Sequence, residues 1–148
     1  MFTRRRGFTF IELLIVLAVI AALLASITPV AMNAIRKAKA IQVAFNLKVL
    51  AGGIQNKLLL DRELPSNISE IGRDIDTQNY GIAYTSSGGH YVIVVFTTEE
   101  VKFDTVHEIL PASSDSTAII PAGADYLAGG LQNANNATVL YRIEFDIY

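Results

Sequence analysis

The chain changes its hydrophobic pattern twice. From Leu13 to Ile35 it runs 23 residues without a charge. A helix of about 20 apolar residues spans the ~30 Å hydrocarbon core of a bilayer, so this stretch is long enough to cross a membrane alone. From Arg36 the pattern becomes amphipathic. Ala38, Ile41, Phe45, Val49 and Gly52 recur at a spacing of three or four, and Ala40, Val43, Leu47, Leu50, Ile54 and Leu58 lie beside them. Lys39, Gln42, Asn46, Gly53 and Lys57 mark the opposite face. This is a broad apolar stripe that needs a packing partner.

The spacing predicts one helix from about Phe8 to about Leu60, roughly 80 Å long at 1.5 Å per residue. Its N-terminal half is expected to protrude from a domain of this size. Pro65 is expected to end it, because proline disfavours helix in the residue before it. Inside the apolar run, Pro29 removes one backbone hydrogen bond and predicts a kink, with Ser26 and Thr28 placed to satisfy freed carbonyls. Gly52-Gly53 weakens the helix by about 1 kcal/mol per glycine relative to alanine, which predicts close packing or a bend there.

After the helix the period drops to two. Ser66–Thr77 reads as an irregular loop with a short helix near Ile68–Ile71. Tyr80–Thr85 and His90–Thr97 are β-rich runs around Ser86-Ser87-Gly88-Gly89, a strong hairpin pattern. Val101–Val106 reads as a weak strand. Pro111–Gly130 reads as loop with a short strand at Thr117–Ile120, and Thr138–Ile147 alternates as a strand that closes the sheet. A helix followed by strands implies an α+β fold, with the helix stripe laid across a small antiparallel sheet. The pattern divides the chain into a short basic start at 1–7, a membrane-spanning half of the helix at 8–35, and a globular domain at 36–148. In that domain the helix reaches about residue 60 and the sheet occupies about 80–148.

Charge is distributed unevenly. The formal net charge is −2, but Arg36–Arg62 carries six basic residues against Asp61, net +5. From Glu63 onward twelve acids face Arg73, Lys102 and Arg142, net −9. A basic stem and an acidic head disfavour nucleic-acid binding by the head, since that affinity comes from neutralising phosphates. The chain has no cysteine, so the domain must hold together without disulfides.

Glu12 is the one charge at the mouth of the apolar run, and a carboxylate deep in lipid costs roughly 2.5–3.5 kcal/mol or more without a partner. A cut between Gly7 and Phe8 would create an α-amine four residues before it, cationic near neutral pH. That amine would lie about one helical turn away in the same chain. It could also neutralise Glu12 from an axially shifted neighbouring copy. Spacing alone does not supply such a cut.

The segment Gly7-Phe8-Thr9-Phe10-Ile11-Glu12-Leu13-Leu14, behind Arg4, Arg5 and Arg6, resembles the processing motif of type IV pilins and type II secretion pseudopilins. The resemblance covers about 30 residues, and beyond Ile41 it is one of layout only. It implies that Met1–Gly7 is a basic leader removed by a prepilin peptidase, that Phe8 is the N-methylated first residue, and that Glu12 is the assembly glutamate. Pro29 matches the helix proline of that family. The resemblance further implies insertion in a bacterial inner membrane with the N-terminus cytoplasmic. Recruitment by an inner-membrane assembly platform into a periplasmic or cell-surface filament of like subunits would follow. Many type IV pilins close a C-terminal loop with a disulfide, which this chain lacks.

Two other arrangements compete: an uncleaved single-pass anchor for an extracytoplasmic binding module, and an ordinary secretory signal. The apolar run is too long for a usual signal, and no good A-x-A site follows it. The three arginines before the run are matched by Arg36, Lys37 and Lys39 after it, so the cytoplasmic start rests on how closely the leader abuts the run.

Catalytic chemistry is not found. No nucleophile elbow, P-loop or dinucleotide fingerprint is present, and no cofactor or metal is expected. His90 begins a strand, and Asp104, His107 and Glu108 read as a charged exposed face. Asp74, Asp76 and Asp115 are oxygen donors of the kind calcium takes, but the tryptophan- and aspartate-containing loop of the calcium-binding major pseudopilins is not found. Asn67-Ile68-Ser69 and Asn136-Ala137-Thr138 match the glycosylation pattern.

Overall fold

The computed structural model describes residues 7–148. The leader expected at Met1–Gly7 therefore lies outside the described residues except for Gly7. The chain divides into two compact units, one ending at Arg36 and the other Lys37–Tyr148. Helix α1, Phe10–Asp61, contributes to both.

In the first unit α1 is apolar and exposed throughout. Pro29 lies inside it. The Ser26 hydroxyl donates to the Leu23 carbonyl at 2.9 Å and Thr28 Oγ1 to the Leu24 carbonyl at 2.7 Å. Neither serves Ala25, whose carbonyl is the one that loses its helical donor to the proline ring.

In the second unit α1 packs on a five-stranded antiparallel sheet, the α+β, pilin-like layout expected from the sequence. The strands are β1 Tyr80–Ser87, β2 His90–Thr97, β3 Ser113–Ser114, β4 Asp125–Tyr126 and β5 Val139–Asp146, in the order β3-β5-β2-β1-β4. The hairpin is tighter than expected. β1 runs on through Ser87, which pairs with His90, and only Gly88 and Gly89 turn the chain. Both have positive φ, 59° and 88°, as a two-residue hairpin loop with matching twist requires.

Only one of the two apolar rows on α1 reaches the sheet. Val43, Leu47, Leu50, Ile54 and Leu58 are buried with Ala40, Ala44 and Ala51, whereas Ile41 and Phe45 remain 48% and 65% exposed. A helix touches a flat sheet along a single arc, and the two rows lie too far apart around the helix for both to fall within it. Full burial stabilises each large aliphatic side chain by about 1.5–3 kcal/mol, so the inner row dominates the attachment. Polar contacts fix its register. Asn46 donates to the Tyr80 hydroxyl at 3.2 Å, and Lys39 pairs with Glu99 at 3.3 Å. Burial pushes the Tyr80 hydroxyl above its ordinary value. Lys57 bonds Glu70 at 2.7 Å, and that hydrogen bond holds the Glu70 carboxyl below its ordinary 4.5.

Two strand expectations need correction, and the helix stops for another reason than expected. α1 ends at Asp61, one residue from the expected Leu60, but the stop is Arg62 instead of Pro65: Arg62 turns left-handed (φ 58°) while its N–H still bonds the Leu58 carbonyl. This is an αL stop of the kind glycine usually provides. Val101–Val106 is not a strand: Phe103–Ile109 forms helix α2. Phe103, Val106 and Leu110 recur at helical spacing and turn one side inward, which outweighs the β-propensity of the valines. Thr117–Ile120 is not a strand either. Thr117–Ile119 is a 3-10 turn capped by the Ser116 hydroxyl, and Ile119 and Ile120 pack on the second face of the sheet. That face, formed by Ala83, Val94, Phe96 and Leu140, carries a smaller core of its own with Ala134 and partly buried neighbours from residues 119–137.

The two helix glycines differ in environment. A Cβ on Gly53 would meet Ile71 Cβ at 2.9 Å and the Ile71 carbonyl at 3.2 Å, whereas one on Gly52 meets nothing within 4 Å. Gly53 thus lets the loop after α1 approach closely. Gly52→Ala should stabilise the fold by about 1 kcal/mol through helix propensity. Gly53→Ala should destabilise it, because forced overpacking costs about 1–3 kcal/mol and outweighs that gain. Thermal unfolding of the detergent-solubilised full chain, followed by circular dichroism, should shift in opposite directions. Shifts of the same sign would contradict this reading of Gly53.

Candidate functional site

Gly7, Phe8 and Thr9 precede α1 without regular structure, and all three are exposed. Phe8 is 83% exposed, and no neighbour lies within 4 Å of where a Gly7 Cβ would sit. The Gly7–Phe8 bond therefore lies in an open, non-helical segment. A peptidase can bind such a segment in extended form without first unwinding helix.

The start of α1 is a reciprocal cap. The Thr9 N–H donates to Glu12 Oε2 at 2.8 Å, and the Glu12 N–H donates to Thr9 Oγ1 at 3.2 Å. The Leu13 N–H bonds the Thr9 carbonyl at 3.2 Å, closing the first turn. Thr-x-x-Glu ahead of an apolar run is the capping-box pattern, in which each side chain satisfies a backbone N–H that the helix leaves free. Thr9-Phe10-Ile11-Glu12 was legible in the sequence as this pattern, but attention to charge alone misses it. The carboxylate also lies at the positive end of the helix dipole. Glu12 thus has a local partner before any second chain is considered, and its Oε1 has none among the described residues.

The apolar segment behind this cap is the one helix among the described residues long and apolar enough to cross a membrane, and none of its most apolar window is buried. Its acid, its proline and its unstructured Gly-Phe junction all lie within one 30-residue stretch. Their placement on a single helix and its lead-in follows from that contiguity.

The other singled-out residues are committed elsewhere. His90 Nδ1 lies 2.7 Å from Asp146 Oδ1 across β2 and β5, with Glu144 3.9 Å from its other nitrogen. His107 bonds the Ser113 carbonyl at 3.1 Å and lies against the Phe103 ring, and no hydrogen bond or ion pair joins it to Asp104 or Glu108 among the described residues. Asp76 accepts from the Gln78 N–H and the Asn79 amide, tying a turn. Among the described residues no three His, Cys, Asp or Glu side chains converge as metal ligands. Asn67 caps the turn at Ile68–Glu70 through its Oδ1, which accepts from Ser69, and packs against Gly129. Asn136 is exposed.

Residues 2–28 match the family described as the prokaryotic N-terminal methylation motif. This is the signal motif of type IV pilins and pseudopilins, and the chain carries it. No curated protein and no solved structure matches the chain.

The cap gives a direct expectation. Glu12→Gln retains an acceptor for the Thr9 N–H and should leave the first turn of α1 intact. Glu12→Ala should weaken that turn by about 1 kcal/mol. Amide exchange at Phe10–Leu13 in detergent is the readout. Equal exchange in both variants would show that the carboxylate contributes nothing to the cap.

Proposed function

We propose that this chain is a structural subunit, pilin or pseudopilin, of a type IV pilus-like filament or a type II secretion pseudopilus. It acts by polymerising and performs no catalysis of its own. The observation that carries this reading is the methylation motif at residues 2–28, placed on an apolar helix that nothing among the described residues covers.

In this account the subunit first spans the inner membrane once, with Met1–Gly7 on the cytoplasmic side. A prepilin peptidase cuts after Gly7, and the new amine on Phe8 is methylated. The cut removes three arginines, which would otherwise hold the N-terminus at the cytoplasmic face, since each charge resists passage through the hydrocarbon. Freed of them, the helix can leave the bilayer and pack against other copies through an assembly platform. Pro29 marks the place where it bends during packing. The cut also supplies a cation for Glu12. A close pair of opposite charges in an apolar bundle attracts strongly, but desolvation offsets much of the gain. The pair therefore acts on register and recruitment more than on filament strength.

The capping box favours a second reading, an uncleaved membrane-anchored binding module, because it gives Glu12 a purely local role. The two readings separate on Glu12→Gln, which keeps the cap and loses the charge. Under the filament reading this variant is inserted and cleaved normally, yet its ratio of sheared filament to membrane-bound subunit falls severalfold, as does that of Glu12→Ala. Glu12→Asp is intermediate, since it keeps the charge with a shorter reach. Normal filament yield from Glu12→Gln would remove the charge-pairing role. Gly7→Leu should accumulate as uncut precursor in the membrane fraction, and normal maturation of that variant would contradict the assigned junction.

A further inference from the structure

The outer side of α1 in the second unit is unpartnered. Lys37, Ile41, Phe45 and Lys48 fall within a narrow arc of the helix, at steps of four, four and three residues. Ile41, Phe45 and Ile109 are 48%, 65% and 38% exposed. Together with Ala44, Lys48 and Leu110 they line an apolar groove of about 230 Å³ between α1 and α2. Lys39 and Lys57 have carboxylate partners within the chain, whereas Lys37 and Lys48 have none among the described residues.

The far end of the same helix carries the complement. Leu59 and Leu60 are 50% and 83% exposed, and they are followed by Asp61 and Glu63, which form no ion pair among the described residues. The intervening Arg62 directs its guanidinium to the Tyr148 carbonyl, 3.3 Å away. An apolar groove flanked by two free lysines and an apolar helix end flanked by two free acids thus stand on one molecule, too far apart to meet within it.

We infer that the Leu59–Leu60 end of α1 from a second copy of this chain seats in the groove lined by Ile41, Phe45 and Ile109, with the acidic Asp61–Glu63 segment facing Lys48. The inference rests on the filament reading for one point, that all copies share one polarity. Parallel helices then bring Phe45 against Leu60 at a stagger of 15 residues, about 22 Å along the helix, which sets Lys48 level with the chain just past the end of α1, where Glu63 follows Asp61. The apolar contact excludes water, and the opposed charges fix the register. The two patches differ, so the contact is heterologous, and it propagates as an open filament unless its rotation closes a ring.

The absence of cysteine makes the test clean. Position 48 and the helix end at Asp61 lie about 20 Å apart in one chain, beyond the ~7 Å Cα separation a disulfide allows. Full-length Lys48→Cys/Glu63→Cys, oxidised in cells that make the filament, should therefore give a ladder of cross-linked multimers. Mixed single variants should stop at dimers. Adding Leu60→Asp, at a position already 83% exposed, should reduce the ladder by at least about tenfold. Cells that shed filaments yet give no ladder would overturn this contact and leave the filament reading standing. A ladder from cells that shed none would support the contact and count against the filament reading. Cross-linking by Lys48→Cys alone to the same extent would mean a self-paired face and would also overturn the inference.

Discussion

An apolar helix surface with no partner among the described residues must be covered by something else, and that constraint governs this molecule. From Phe8 to Ile35, sixteen large apolar side chains are exposed. At about 1.5–3 kcal/mol each, leaving them in water would cost more than the ~5–15 kcal/mol that holds a typical domain folded. The segment is therefore never free in water. Lipid tails and the apolar helices of other copies are equally good covers, because hydrocarbon is as apolar as leucine. Moving from one to the other changes the apolar energy little. Under the proposed filament reading, the choice between bilayer and filament falls to the few polar features of the segment: the leader arginines, the Gly7–Phe8 junction, Glu12 and Pro29.

The second unit solves its burial problem internally and leaves a remainder. The inner row of α1 is spent on the sheet, and residues 119–137 help to cover the opposite face. What remains outside is a basic apolar groove at one end of the helix and an acidic apolar tip at the other. The charge asymmetry visible in the sequence, basic before Arg62 and acidic after it, acquires spatial meaning here. Lys39 and Lys57 use part of it to tie the helix to its own domain, and Lys37 and Lys48 remain for other contacts.

Much of this was legible from pattern alone. The long helix, the hairpin and the strand at Val139–Asp146 rest on strong periodicities, and the structure has all three. The failures occurred where two periods compete over few residues. Phe103, Val106 and Leu110 are helically spaced, but Val101 and Val106 also suit a strand, and a seven-residue helix offers too few turns to decide. The second core could have been suspected from Val92-Ile93-Val94-Val95-Phe96, since an unbroken apolar strand is buried on both faces. Which of the two α1 rows would be buried was not legible, because both are apolar and only the position of the sheet selects between them. At the N-terminus Gly7, Phe8, Glu12 and Pro29 were singled out through the resemblance of their segment to the pilin processing motif, whereas Glu12's bond to Thr9, written in the Thr-x-x-Glu pattern, was passed over.

We propose that a cut at Gly7–Phe8 lets the apolar helix leave the membrane. Intact-mass and N-terminal peptide spectrometry of the chain, purified from its native membrane and from sheared surface material, decides whether that cut occurs. The account predicts a chain beginning at Phe8 and heavier than its sequence from that residue by a single methyl group on the α-amine. A native N-terminus at Met1, or one created beyond residue 25, would contradict it.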